Sequence, residues 1–556
     1  MPEKSEIVDL LDNIASIMEF KGENPFKVSA FRNAGNSIRK FEGDIEEMAG
    51  ANRLGEIKGV GKETAKVVSE FMLTGNSIFY QELISDIPSG VLDMFEIRGI
   101  GPKKINVIYK ELNIISIPGL AAACRRGEIA KVKGFGEKTQ AKILEEIEKL
   151  ERNRKFILMD RADKLSAKLL ATLSSVKTID KIEVSGEVRR NMEVVQEIIF
   201  VALCPKKNAA IKSTAELFTS AAIDDDELII SDFPVPVKVF FTQDTSEYYN
   251  LLFSTTATAE VLSAVKYTGS IAGVKSEEDI FKKLKMSYIP PEMREPQYFT
   301  IKDAAHKKPS SLSFGDFNGL LHFHTNASDG NNTLEEMINA GSKLGFKFFA
   351  VCDHSQNAAY ANGLTEERIL AQRELTKALS KKLNVRVYQG IESDILTDGR
   401  LDYSPDFLSN FDFIVASVHS QFNLSETDMT ARIIKAVENP NTDALGHPTG
   451  RLLLARDGYQ LNIKKVIDAC AANSVAIEIN ANPHRLDLDW RNIFYAREKG
   501  AMFTINPDAH STQDIELTNY GVLIARKGGI QKEEVINCFS IQEFDKFLSR
   551  KIKRNF

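Results

Sequence analysis

The stretch LHFHTNASDG (321–330) sets His322 and His324 two residues apart and follows them with Asp329 in a turn. On an extended chain, residues i and i+2 point to the same side, so both imidazoles face one ligand. The pattern continues downstream. FKFFAVCDH (346–354), NVRVYQGIESDIL (384–396), FDFIVASVH (411–419), DALGHP (443–448), SVAIEINA (474–481) and AMFTINPDAH (501–510) are apolar runs that each pass into a polar end. Helical segments separate them. Strands alternating with helices from residue 316 onward predict a parallel α/β architecture, and a barrel is its closed form. In such folds the chemistry sits at the C-terminal ends of the strands.

The ligand-type residues fall at those ends. Of eight histidines in the chain, seven lie after residue 321 and six end or follow an expected strand. With three acids they give nine donors: His322, His324, Asp329, His354, Glu392, His419, His447, Asp508 and His510. A lone histidine is more often a core or surface residue, and His306 and His484 keep that reading. Nine donors at strand ends are a different matter. Imidazole mixed with carboxylate suits zinc, manganese or iron better than calcium or magnesium. Nine donors exceed one ion's needs, so two or three divalent ions are expected, with Glu392 placed to bridge two of them. Closely spaced ions bind a phosphate, lower the pKa of water and stabilise charge on the attacking and leaving oxygens. Hydrolysis of a phosphate ester is the chemistry this pattern points to, with Glu392, Asp508, His322 and His324 at its catalytic core.

Residues 1–150 read as short helices with glycine-marked turns. One unit occurs three times: EIKGVGKETAKVVSEF (56–71), EIRGIGPKKINVIYKEL (96–112) and KVKGFGEKTQAKILEEI (131–147). Each repeat places hydrophobic–Gly–hydrophobic–Gly before a helix, at Gly59 and Gly61, Gly99 and Gly101, Gly134 and Gly136. Glycine lets a backbone approach a ligand, and free amides at a helix start bind phosphate oxygens. Contacts of this kind position a nucleic acid without reading its bases. Lys103, Lys104 and Lys138 flank the turns, and residues 101–142 hold nine Lys or Arg against three Glu. A single Gly-x-Gly would serve equally as a turn between packed helices. Three copies with flanking lysines look like helix-hairpin-helix modules.

Bulk properties bound the rest. The 556 residues exceed one core, and the formal charge of -6 leaves any nucleic-acid binding to local patches. Hydrophobic and charged fractions of 43% and 27% are those of a globular protein. Five dispersed cysteines fit a reducing cytoplasm and exclude a paired-thiolate zinc site. The acidic, amphipathic N-terminus lacks the form of a signal peptide, and no apolar run is long enough for a bilayer. The expected location is cytoplasmic, with no membrane partner.

On the motifs HFHTNASDG, CDHS, GIESDIL, ASVHS, GHPTGRLL, EINANPHRLDL and PDAH, the C-terminal 240 residues resemble the PHP (polymerase and histidinol phosphatase) family. The resemblance implies a distorted seven-stranded β/α barrel with a two- or three-metal site, and each of the nine ligand positions is filled. Manganese is the expected ion, with zinc second. Arg451 and Arg485, in GHPTGRLL and NPHRLDL, are candidate contacts to substrate phosphate, with structural ion pairing an equal alternative.

Hairpin repeats, an α/β middle and a PHP domain together resemble bacterial and archaeal family X DNA polymerases, the PolX group. ENPFKVSAFRNAGNSI (23–38) and EEDIFKKLKMSYIPPEMRE (277–295) carry the likeness outside the barrel. The implied class is multidomain, α+β and α/β: a helical lyase-like domain with the first hairpin (1–85), a fingers-like hairpin domain (86–152), a nucleotidyltransferase-like palm (153–238), a thumb (239–298), a linker (299–316) and the PHP domain (317–556). Implied partners are DNA gaps, nicks or 3′ ends, bound without sequence preference, and the implied setting is DNA repair.

The middle departs from the family where its chemistry lies. The family's Gly-Ser-x-Arg-Arg is Gly186-Glu187-Val188-Arg189-Arg190, its Asp-x-Asp is Glu197-Ile198-Ile199, its third Asp falls at Lys238, and its Phe-Thr-Gly-Ser turn is Phe253-Ser254-Thr255-Thr256. Two magnesium ions need those carboxylates, so a palm-like fold without polymerisation is expected. The family's Schiff-base lysine falls at Val67, beside Lys66, which leaves lyase activity doubtful. The expected activity is 3′–5′ exonuclease, extending to abasic sites or blocked 3′ ends. Rival readings are a working gap-filling polymerase with a proofreading PHP domain, a phosphatase on a small ester, and a DNA-binding scaffold without chemistry.

Overall fold

The computed structural model describes residues 2–550 except Glu3, Glu42 and Ala304. Ala304, inside the expected linker, and residues 551–556, at the end of the expected barrel domain, lie outside the described residues. The chain divides into two compact units, residues 1–154 and 155–556.

The first unit is all helical. Ile7, Leu11, Ile14 and Met18 recur at three- and four-residue spacing along Lys4–Lys21 and bury that face against Phe31, Ala34 and Ile38 of Pro25–Lys40. The three repeats fold alike. Each has a 3-10 turn (Leu54–Glu56, Met94–Glu96, Ile129–Lys131), then the Gly-x-Gly turn, then a helix (Lys62–Thr74, Pro102–Leu112, Glu137–Asn153). The x residues Val60 and Ile100 are buried, which pins two of the turns to a core. Among the described residues no single helix is long and apolar enough to cross a membrane.

The second unit begins with a five-stranded sheet in the order Lys181–Ser185, Ile198–Leu203, Val237–Thr242, Glu227–Ile230 and Ala221–Asp224. Ile198–Leu203 pairs in parallel with Val237–Thr242, and the other neighbours are antiparallel. The barrel follows. Its seven strands, Gly319–Leu320, Phe348–Val351, Arg386–Asp394, Phe413–Ser417, Ala444–Leu445, Ala476–Asn480 and Phe503–Asn506, are all parallel and lie in chain order. Nearly every strand residue is buried, as expected of a sheet covered on both faces.

One pleat row explains how the barrel builds its site. Phe348, Tyr388 and Phe413 point inward at the bottom and close on Phe544 of Ile541–Leu548, with ring centroids 4.9, 5.1 and 5.8 Å away. Counting upward by twos, the same rows reach His354, Glu392 and His419. An apolar plug at one end and metal-type ligands at the other are therefore consequences of a single alternation.

The first and last strands do not pair along their length. They meet at an isolated bridge, Phe323 with Ala509, and through one side chain. The Asn537 amide donates to Gly319 O (3.1 Å), Ile505 O (3.0 Å) and Asn506 Oδ1 (3.0 Å), while its oxygen accepts from Ile505 N (2.8 Å) and Thr504 Oγ1 (2.9 Å). Asn537 is fully buried, so its loss strands several polar groups away from water. We expect Asn537→Ala to destabilise this unit by about 3 kcal/mol, read as a lower urea midpoint at unchanged slope.

The segment 299–316 is packed rather than free. Ile301 and Leu312 are buried in the barrel's outer core, and Ser310 Oγ donates to Ile530 O. Its polar composition concealed this, because its apolar anchors are few and scattered. The palm-like sheet is also fixed to the barrel. Lys527 Nζ, fully buried, donates to Glu295 Oε1 (2.8 Å) and Arg190 O (2.9 Å), and Trp490 Nε1 donates to Glu193 Oε2 (2.9 Å).

Candidate metal centre

All nine predicted ligands converge at the C-terminal mouth of the barrel. Their donor atoms form three clusters, each with every atom within 4.8 Å of the others: His324, Asp329, His354 and His510; His322, His324 and Asp508; His354, Glu392 and His419. His324 and His354 each belong to two clusters. His447 Nε2 lies 3.1 Å from Glu392 Oε1, beside the third. Glu392 is central: Oε1 lies 3.6 Å from His322 Nε2 and 3.2 Å from His419 Nε2, and Oε2 lies 2.9 Å from His354 Nδ1. Asp508 Oδ1 stands 3.5 Å from His322 Nε2 and 2.9 Å from His324 Nε2. Two ligands sit on backbone in the left-handed region, His447 at φ +22° and Asp508 at +54°. Such conformations cost energy and persist where the surroundings impose them.

The donor set fits divalent ions. His322 Nε2, His324 Nδ1 and His447 Nδ1 are buried without a hydrogen-bond partner among the described residues, and His354 Nδ1 and Glu392 Oε2 face each other outside hydrogen-bond geometry. Buried polar atoms left this way are expensive unless a cation satisfies them. Several rings are also aimed from behind. His322 Nδ1 donates to Glu478 Oε1 (2.7 Å), His419 Nδ1 to Asp394 Oδ1 (2.7 Å) and His510 Nδ1 to the Asp508 carbonyl (2.8 Å). Each bond places the proton on Nδ1 and turns the Nε2 lone pair toward the centre.

Electrostatics agree. Burial opposes charge on Glu392 and Asp508, yet neighbouring imidazoles hold both carboxyls well below their usual range, and Asp329 behaves alike beside His354 and His510. Burial likewise opposes charge on His354, but Glu392 and Asp329 outweigh it and raise its pKa to about 10. His419 and His510 rise to about 9 against Glu392 and Asp394, and against Asp329 and Asp508. Burial, with His510 and His354 nearby, pushes His324 down to about 4. His354, His419 and His510 hold protons where cations would otherwise balance the acids, and ion binding releases such protons.

Some residues of the site escaped the sequence reading. Glu478 takes His322 Nδ1 and Asn506 Nδ2 (3.0 Å) on Oε1 and His447 N (2.7 Å) on Oε2. Asp353 holds the Asp329 turn, accepting from Thr325 N (2.7 Å), Thr325 Oγ1 (2.7 Å) and Ser328 Oγ (2.5 Å). Asn480 Nδ2 donates to Asp508 Oδ2 (3.1 Å). The two arginines part company. Arg451 is committed to Asp489 and to the carbonyls of Arg485 and Leu486. Arg485 stands at the rim with Nε 3.8 Å from Asp508 Oδ2.

The hairpin residues lie in the first unit. Gly59, Gly99 and Gly134 take φ of +95°, +78° and +90°, and Gly61, Gly101 and Gly136 cap the following helices with no side-chain hydrogen bond on the leading amides. A side chain at these positive φ values would be strained. Lys103 and Lys138 are exposed, and Lys104 Nζ lies 5.7 Å from the centre of the Phe135 ring. Val67 is buried in the core of this unit, while Lys66 is exposed.

In the palm-like sheet, Ile199 is the parallel register partner of Lys238, and Lys238 Nζ lies 2.9 Å from Glu197 Oε2 and 3.8 Å from Glu227 Oε1. Ile199 packs on Gly186, whose missing Cβ would lie 3.1 Å from it. Glu187 accepts from Gln196 N (2.6 Å), and Arg189 is held by Glu277 at 2.6 and 3.0 Å.

The fold and ligand set define a PHP domain, joined to helix-hairpin-helix repeats. The sequence matches the PHP domain family over residues 321–482, the helix-hairpin-helix domain family over 2–77 and the SAM-like helix-hairpin-helix tandem family over 91–149. It is 32% identical to the DNA polymerase/3′-5′ exonuclease PolX of Bacillus subtilis (strain 168), over 98% of this chain and 99% of that protein. It is also 26% identical to a probable phosphatase of Acetivibrio thermocellus and 28% identical to one of Caldicellulosiruptor bescii, over 42% and 41% of this chain. The chain belongs to the PolX family. Family membership and the hairpins support DNA binding.

Proposed function

We propose that this protein is a DNA-repair nuclease that removes nucleotides from 3′ ends through its PHP domain and no longer polymerises. The observation that carries the nuclease reading is the convergence of nine donors, Glu392 among them at the centre. Two or three divalent ions held there, manganese foremost and zinc second, would supply Lewis acidity and an activated water. The chain's own part is to hold and aim. Glu478 and Asp394 orient His322 and His419, and Arg485 offers a rim cation to a phosphate oxygen. The hairpins hold the flanking duplex by its phosphates, so sequence matters little and salt matters greatly.

The same chemistry would serve blocked 3′ ends and abasic sites. The test is release of labelled nucleotides from gapped DNA with manganese, set beside hydrolysis of histidinol phosphate. DNA degradation from the 3′ end supports the nuclease reading, and turnover confined to the small ester overturns it. The palm supports the second half of the proposal. Where the family has three aspartates, a glutamate is neutralised by a lysine and the third position is an isoleucine packed on Gly186.

A further inference from the structure

We propose that Tyr360 is a stacking platform for the base of the 3′-terminal nucleotide, holding its phosphodiester against the ligand clusters; this rests on the exonuclease reading above. Tyr360 is 72% exposed, more than any other large hydrophobic side chain among the described residues of the second unit.

It does not stand there by looseness. It occupies a short 3-10 turn, Ala359–Ala361, whose flanks Ala358, Ala361 and Leu364 are buried. Asn357 donates through N to Asp402 Oδ2 (2.6 Å) and through Nδ2 to Asp394 Oδ2 (2.6 Å). Leu364 N returns to His354 O (2.8 Å), and Arg368 ties the carbonyls of Asn362 (2.9 Å) and Gly363 (3.1 Å). Gly363 packs so closely that a Cβ there would lie 1.9 Å from Ser355 O. Two of these anchors are the ligand His354 and the acid that aims His419. The turn is thus built into the centre's own scaffold and fixes one ring at its mouth.

The ring is well placed. Its centroid lies 6.2 Å from that of His354, tilted by 56°. Every base offers a π face, so an exposed ring grips a terminal nucleotide without choosing among bases. That tolerance is what an enzyme removing nucleotides in succession requires. A small phosphate ester without a base would gain nothing from it.

The test compares full-length wild type, Tyr360→Ala and Tyr360→Phe on two DNAs. One ends in an ordinary 3′ nucleotide and the other in a tetrahydrofuran abasic residue. The ratio of kcat/KM, ordinary over abasic, falls about tenfold in Tyr360→Ala, chiefly through KM, and returns in Tyr360→Phe. A second readout needs no cleavage: 2-aminopurine at the 3′ terminus is quenched on binding wild type and Tyr360→Phe but not Tyr360→Ala. An unchanged ratio, or a phenylalanine variant that behaves like alanine, overturns the proposal. Because quenching is read without turnover, it decides the platform even if wild type proves unable to cut DNA, a result that would sink only the nuclease reading.

Discussion

Glu392→Gln is expected to reduce manganese-dependent nucleotide release about 10³-fold, with loss of bound metal by elemental analysis. Glu392 is the side chain that His322, His354, His419 and His447 all face. Glutamine keeps the volume and removes the charge. A unit charge about 4 Å from another is worth about 4 kcal/mol at an effective dielectric near 20, which converts to roughly 10³ in rate. His322→Ala should match it, because His322 reaches both Glu392 and Asp508. Glu478→Gln gives a graded comparison. It touches His322 from behind and keeps one acceptor oxygen, so about 10- to 100-fold is expected, the usual effect of a residue that orients a ligand. Equal losses in the two glutamine variants would mean that the whole mouth collapses, and Glu392 would lose its special place. Full activity in Glu392→Gln would remove the centre from the chemistry altogether.

The site was legible because ligand chemistry and strand geometry leave the same trace. Donors at the ends of apolar runs are conspicuous, and all nine converge. The barrel order was legible for a similar reason, since helices between strands dictate parallel neighbours. What the reading missed was carboxylate inside the runs. Glu478 sits between Ile477 and Ile479, and Asp394 lies two residues beyond Glu392 on the same side. Both carried a signal. An acid within a buried strand is tenable only if paired, and i+2 spacing aims Asp394 at the same cavity as Glu392. Arg451 and Arg485 show the opposite limit. Both follow a proline-marked turn, yet only packing decides that Arg451 is bound by Asp489 while Arg485 stays at the rim. Asn537 was beyond reach, because closing the barrel seam depends on a residue about two hundred positions from the first strand.

Primer extension on a one-nucleotide gap is expected to fail with magnesium and with manganese, on the order of 10⁶-fold below an acid-intact palm. The assay uses His322→Ala protein, so that nuclease action does not erase product. Glu197, Ile199 and Lys238 lie together at the start of two adjacent parallel strands, as the family's three acids would. Two of those positions have lost their carboxylate, one of them to a lysine, and the third carboxylate already has that lysine as its cation: Lys238 Nζ at 2.9 Å. The lysine's pKa is raised, first by its hydrogen bond to Glu197, so it stays protonated across the working range. A divalent ion would have to displace a bound ammonium and then rest on one carboxylate beside the apolar Ile199. Each lost carboxylate removes about 4 kcal/mol of ion and triphosphate stabilisation by the same Coulomb argument, before any repulsion from Lys238. The other family contacts are also occupied, Arg189 by Glu277 and Glu187 by the Gln196 amide. Robust incorporation that Glu197→Gln abolishes would overturn this reading, since a single glutamate would then have held the ions alone. Absence of extension together with intact binding of gapped DNA would leave the palm as a DNA-holding body, fixed to the barrel through Lys527 and Trp490.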